Sequence, residues 1–282
     1  MPSIGPIAIL LPGLDAARRY LVPPGSRRYD PPVQRRVTLL ESAFEDRPAY
    51  DTALSRALLE EVAVGDHPEA LRIHRPGDVV AFSVLDRARA GFEDAVEAAR
   101  GAGFGAVLRL AGGRAAVFHA ETLAFAWCIP DAEPRDGIRK RFDETSAIVV
   151  EALQSLGVDA RVGEVPGEYC PGEHSVNAGG RIKLMGVGQR IVRGSAHVGG
   201  VLVVGGSDRV RDALTLVYAA MGFPWDPETV GAVEDEAPGV TVDDVRTALR
   251  SAWSRRVELS PGEFPERILR AAETREPDHQ VG

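Results

Sequence analysis

Residues 107–127 read VLRLAGGRAAVFHAETLAFAW, and residues 168–190 read EYCPGEHSVNAGGRIKLMGVGQR. Both mix short β-branched and aromatic runs with paired glycines. The first predicts three extended segments, at 106–110, 115–118 and 123–129, parted by Gly112-Gly113 and a short polar turn. The second leaves a Pro/Gly loop, turns through a hairpin around NAGG and continues into RIVRGSAHVGGVLVVGG (190–206). These last stretches read as consecutive antiparallel strands in which bare glycine backbone lets something approach closely.

Outward from this centre the pattern becomes mixed. Helical spacing of Ala53, Leu54, Ala57, Leu58 and Val62 predicts a helix over 49–63. Strands follow at 70–76 and 78–86, then a helix over 91–103 that ends at Gly101 and Gly103. In the long amphipathic helix from 139, Ile148, Val149, Ala152, Leu153 and Leu156 share one face and Gly157 marks the end. From Ser207 the spacing is helical again, over 208–223 and 241–256. The expected organisation is an Arg/Pro arm (1–40), a catalytic core (41–205), a helical continuation (206–256) and a polar, fraying tail (257–282). Strands and helices interleave without βαβ regularity, so the expected class is α+β, a mainly antiparallel mixed sheet flanked by helices.

Composition narrows the function. The 282 residues are 44% hydrophobic and 26% charged, ordinary globular values. Basic residues number 33 against 41 acidic, a formal −8, which argues against nucleic acid as the main partner. No apolar run approaches the roughly 20 residues of a membrane span, and no basic residue precedes the apolar stretch near Met1 as in a secretory signal. The two cysteines, Cys128 and Cys170, form no disulfide framework, so a reducing cytoplasm is expected. Among the basic residues only Lys140 and Lys183 are lysine. Where arginine is the habit for solvated faces, a lysine suggests a site that needs a compact ammonium.

Four features could carry chemistry. Gly112-Gly113-Arg114 after a strand is either a plain hairpin or a place where backbone meets a ligand; it has neither P-loop nor Rossmann spacing. Cys128 lies in an apolar strand and reads as core, whereas Cys170 sits in a Tyr-Cys-Pro-Gly loop. A thiol titrates at roughly 8.5, so Cys170 is a nucleophile at neutral pH only beside a cation, a base or a helix N-terminus. His174, four residues on, could be that base. Lys183 alternates with Ile182 and Leu184 on a strand, as a solvated residue or as a point charge for a carbonyl or phosphate. His67, His74, His119, His174, His197 and His279 stand apart, and no cluster has metal-ligand spacing.

In this order the pieces resemble the catalytic domain of the biotin/lipoate protein ligase and transferase superfamily, a class II aminoacyl-tRNA and biotin synthetase-like fold. The likeness rests on Arg109, Gly112 and Gly113, then Lys183, Gly186, Gln189 and Arg190, and covers roughly residues 45–205. YCPG ahead of GGRIKLMGVGQR looks most like the cysteine-dependent octanoyl/lipoyl amidotransferases. That resemblance implies that Cys170 takes the acyl chain as a thioester and Lys183 holds the acyl carbonyl oxygen. Arg109, Gly112, Gly113, Arg114, His119, Gly186 and Gln189 would line the substrate site. It implies as partners the glycine-cleavage H protein and the lipoyl domains of 2-oxoacid dehydrogenases. No cofactor or metal is then required, the acyl group arriving as substrate. An ATP- and Mg2+-dependent lipoate ligase, acting through an adenylate, is the alternative; a non-catalytic acyl- or carrier-binding member is the second. Leu110 stands where the family often has a second arginine, Ala124 where asparagine is frequent, and His119 where the cysteine branch commonly has an acid.

Overall fold

Alternation in Arg-Val-Thr-Leu-Leu starts the first strand, β1 (Arg36–Leu40), in a computed structural model that describes residues 35–282. The expected arm therefore ends earlier than 40, because Val37, Leu39 and Leu40 are buried core residues. Its arginine pairs Arg18-Arg19 and Arg27-Arg28 lie outside the described residues. Arg35 instead bonds Glu69 at 2.5 Å and stacks over Trp127.

The chain continues as α1 (Pro48–Val64), β2 (Ala70–His74), β3 (Val79–Phe82), the single-turn α2 (Val84–Arg87), α3 (Phe92–Gly101), β4 (Gly105–Leu108), β5 (Ala116–Phe118) and β6 (Thr122–Pro130). The amphipathic α4 (Ile138–Gln154) leads to β7 (Ala160–Val162), β8 (Val176–Ala178), β9 (Ile182–Val192) and β10 (Ser195–Val203). Last come α5 (Ser207–Met221), α6 (Val233–Glu236), α7 (Val242–Ser254), β11 (Glu258–Pro261) and α8 (Glu266–Arg275).

Eight strands form one sheet in the order β11-β1-β2-β6-β10-β9-β8-β7, and three form a second in the order β4-β3-β5. From β2 to β7 every pairing is antiparallel, so the class is α+β. Two parallel pairings stand within this arrangement without making a βαβ regularity. β1 pairs parallel with β2 across α1, and β3 pairs parallel with β4 across α2 and α3. Parallel neighbours need a crossover, and a helix supplies it each time.

Three apolar clusters hold the helices. α4 and α7 cover one face of the large sheet, where Ile148, Val149, Leu153 and Trp253 meet Phe125, Trp127 and Val198. α3 and α5 pack on the small sheet through Phe92, Val96, Leu214 and Tyr218. α1 lies on the large sheet's other face, with Leu54 and Leu58 buried beside Cys128 and Ala70.

The tail expected to fray is ordered. β11 runs parallel to β1, and Phe264, Ile268 and Ala272 are buried against α1. Its polarity misleads because the charges are used: Arg267 pairs with Glu61, Glu276 with Arg47, Arg275 with Glu60 and Asp278 with Arg56. Three apolar anchors and a row of ion pairs suffice where a helix docks on another helix. Among the described residues no helix is long and apolar enough to cross a membrane.

Candidate active site

A cavity of about 580 Å3 opens between the small sheet and the large one. Val79, Ala81, Val107, Ala116 and Phe118 line one side, and Ala124, Ala126, Gly186, Gly188, Gly199 and Gly200 the other. The volume and the apolar walls suit a small molecule held by a few polar groups. The large-sheet wall is bare backbone for a steric reason. A Cβ on Gly200 would stand 2.5 Å from the Phe125 ring, and one on Gly188 only 2.8 Å from the Cβ of Ala111. The loop 109–114 thus rests directly on β9.

Cys170 sits at this loop. Its Sγ accepts a hydrogen bond from the Arg114 backbone N–H at 3.1 Å and lies 3.7 Å from Nη2 of Arg109. Arg109 is fixed by donating to the Arg114 carbonyl at 2.6 Å. Gly113 makes the arrangement possible. Its φ is +100°, and a Cβ there would lie 2.5 Å from Arg109 Nη2 and 2.8 Å from the sulfur. Cys170 itself has a φ of +43°, the one positive φ at a non-glycine position among the described residues. Such a conformation persists only where its surroundings enforce it.

The surroundings are explicit. The Cys170 N–H donates to the Tyr218 hydroxyl at 3.0 Å, and that hydroxyl donates to the Ala115 carbonyl at 3.1 Å. Tyr218 thereby ties the cysteine loop to the segment after Gly113. On the other side Lys183 Nζ donates to Glu168 Oε1 at 2.9 Å, the Tyr169 carbonyl at 2.9 Å and the Cys170 carbonyl at 2.8 Å. Glu168 also accepts from Ser175 Oγ, Gly172 N–H and Val165 N–H, so its carboxylate knots the loop together. Both side chains of this ion pair are fully buried.

Burial is the largest influence on the Cys170 thiol and pushes its pKa up. The charges of Arg109 and Lys183, with the Arg114 N–H, outweigh it, and the net shift is downward. Cys128, by contrast, is wholly buried and its thiol is pushed well up.

The structure brings together Cys170, Lys183, Arg109, Gly112, Gly113, Gly186 and Gln189, all of which line the cavity. Gln189 accepts from Arg141 and donates to the Ile138 carbonyl, fastening the start of α4 at the rim. Three expectations change. Lys183 is no solvated strand residue, and the three donors of its ammonium are all spent on the loop rather than held free for an acyl carbonyl. Arg114 contributes its backbone N–H, while its guanidinium stacks over Phe223 at 4.3 Å, outside the cavity lining. His119 is buried outside the cavity, its Nδ1 accepting from the Glu121 N–H at 3.3 Å.

His174 lines the cavity without serving the thiol. Its ring stacks on Phe142, and its nitrogens face Asp143 and Glu173 at 3.5 and 3.2 Å. Glu168 and Tyr218 were missed by sequence reasoning. Glu168 carried a signal, a lone acid two residues before the cysteine; Tyr218, inside an apolar helix, carried none. At the β2 side of the cavity His74 bonds Asp51 at 2.8 Å, and Arg72 pairs with the same carboxylate. Burial would raise the Asp51 pKa, but these partners hold it well below the carboxylate range. No group of three or more metal-ligating side chains occurs among the described residues.

The sequence is similar to curated proteins from several bacteria. One, from Geobacillus kaustophilus, is 28% identical over 188 residues, 67% of this chain and 66% of the relative. Another, from Exiguobacterium sibiricum, is 26% identical over 216 residues, 72% of this chain and 78% of the relative. Each is named Octanoyl-[GcvH]:protein N-octanoyltransferase. The fold resembles the crystal structure of lipoate-protein ligase A bound with ATP, with a TM-score of 0.71, 20% identity, and coverage of 86% of this chain and 94% of that one. It equally resembles the bipartite lipoate protein ligase of Thermoplasma acidophilum, studied with its E2 lipoyl domain, at a TM-score of 0.69, 20% identity, and 86% and 92% coverage. The glycine loop, the cysteine loop and the strands that line the cavity all fall within residues 47–254, which match the lipoyl protein ligase A/B catalytic domain, and the chain belongs to that family.

Proposed function

We propose that this protein is an acyltransferase of protein lipoylation, moving an octanoyl or lipoyl group onto a lysine of a lipoyl carrier domain through a thioester on Cys170. The observation that carries the reading is the sulfur's position: a thiol with a lowered pKa, under Arg109 and the Arg114 N–H, at an apolar cavity. The names of the two curated relatives agree with it.

The chain's groups divide the work as follows. The Cys170 thiolate attacks the acyl carbonyl of the donor; a C–S bond forms, the bond to the donor's nitrogen breaks, and the departing amine takes up a proton from solvent. The acceptor lysine then attacks the thioester as a free amine. A C–N bond forms, the C–S bond breaks, the thiolate returns and the lysine's extra proton goes to solvent. Splitting an amide exchange this way replaces one hard step with two easier ones. Arg109 stabilises the thiolate before the first step and after the second. Lys183 acts here as a positioning residue, holding the Cys170 carbonyl and lending its charge. The cavity takes the hydrocarbon chain, and the reaction draws on no cofactor. Carriers of the H-protein and 2-oxoacid dehydrogenase type are the partners.

Intact-protein mass after incubation with an octanoylated carrier, without ATP, tests this. The expected outcome is a hydroxylamine-sensitive acyl adduct on the wild type and none on Cys170→Ala. No adduct, with carrier acylation appearing once ATP, Mg2+ and free lipoate are supplied, would assign the ligase chemistry instead.

A further inference from the structure

Beside the glycine loop lies a surface that the transfer chemistry does not use. β3 ends where the Phe82 carbonyl accepts from the Arg109 N–H at 2.8 Å, and the chain turns at once into α2. A capping box between Ser83 and Asp86 holds this single turn rigid. On it Val84 and Leu85 are 68% and 71% exposed, two adjacent large apolar side chains facing solvent. The only acid of the segment, Asp86, is buried and spent on Ser83, so the solvent-facing charges of 84–90 are Arg87 and Arg89. Neither makes an ion pair with a described residue, nor does Arg114. Arg89 and Arg114 both stack on the Phe223 ring, at 4.4 and 4.3 Å from its centre. Since the Arg114 N–H also meets the Cys170 sulfur, a chain of contacts links the thiol through Arg114 and Phe223 to Arg89, which follows Leu85 by four residues.

Three arginines that make no ion pair with a described residue thus accompany two exposed aliphatic side chains, ahead of the exposed acids Glu93 and Asp94 on the next helix. We infer that Val84, Leu85, Arg87 and Arg89, continued by Arg114 and Phe223, form the docking face for the carrier domain, which meets it with an acidic surface and thereby delivers its lysine to Cys170. The inference rests on the acyl-transfer reading for the partner's role. The chemistry fits the anatomy of a transient interface, an apolar centre within a charged rim that raises the encounter rate. A two-residue apolar turn is too small to enter a bilayer, so a protein partner is favoured over a membrane.

The test measures binding of a fluorescently labelled apo lipoyl domain directly, so it does not depend on turnover. The expected result is that R87E/R89E and V84S/L85S each weaken binding at least about tenfold, and that the charge reversal flattens the dependence of affinity on salt. Alkylation of Cys170 by iodoacetamide stays at the wild-type rate in both variants, showing an intact site. Wild-type affinity with an unchanged salt slope in R87E/R89E overturns the inference, as does failure of the wild type to bind any lipoyl domain. Sedimentation of the wild type as a dimer that V84S/L85S dissociates would assign the face to self-association. Binding of the wild type to anionic vesicles, lost in R87E/R89E, would assign it to a membrane. If docking responds as expected but no thioester forms on Cys170, the transfer reading fails while the docking face stands.

Discussion

At the scale of single residues, the site depends on one sulfur being surrounded by positive charge without a histidine partner. Arg109 favours the thiolate, so its loss moves the thiol's titration to higher pH. Arg109→Gln is expected to shift the pH profile of Cys170 alkylation to higher pH, because the charge that favours the thiolate is gone. An unmoved profile would show that the Arg114 N–H and Lys183 suffice. Lys183 makes a second prediction, because its partner Glu168 is fully buried. Lys183→Met strands that carboxylate and is expected to cost about 3–5 kcal/mol in urea unfolding. Loss of transfer with unchanged stability would return Lys183 to the acyl carbonyl.

At the scale of elements, the glycines of β9 and β10 act together, letting the loop 109–114 sit against sheet backbone. Gly188→Ala forces its new methyl onto Ala111, 2.8 Å away, and pushes the glycine loop off Cys170. We expect about 1–3 kcal/mol of overpacking and a roughly tenfold slower acyl adduct, followed by mass over time. The strands β6, β8, β9 and β10 were legible because alternation and turn glycines are local signals. The separation into two sheets was not, since β3 and β4 pair in parallel across two helices. Nor was the burial of Lys183, because the loop that covers it begins 15 residues upstream at Glu168. The cysteine and glycine motifs were each visible, but their contact joins residues 56 apart, and only the fold decides it. The ordering of α8 escaped because its charges are matched by α1, which hydropathy alone does not register.

At the scale of the whole molecule, buried neutral histidines make the fold acid-sensitive. Burial pushes His197 down to about 4, and His119 likewise to about 4. The unfolded chain takes up those protons near pH 6.5 while the folded one does not, so stability falls as pH drops from about 6.5 toward 4. His197 alone is expected to account for about 2–3 kcal/mol by pH 4.5. Urea unfolding at pH 7.5 and 4.5 measures it, and His197→Gln should flatten the slope; equal slopes would reject the assignment. The closing segment sets a different constraint. β11 completes the edge of the large sheet beside β1, while the His279 carbonyl accepts from the Leu108 N–H at 2.9 Å and its ring bonds back across 171 residues. Both sheets are thus finished by residues near 260 and 280. A chain lacking residues 258–282 keeps its thiol, its glycine loop and most of its core, yet has neither sheet closed. Removing residues 258–282 therefore bares an edge of each sheet at once, and such a truncated chain is expected to aggregate rather than fold.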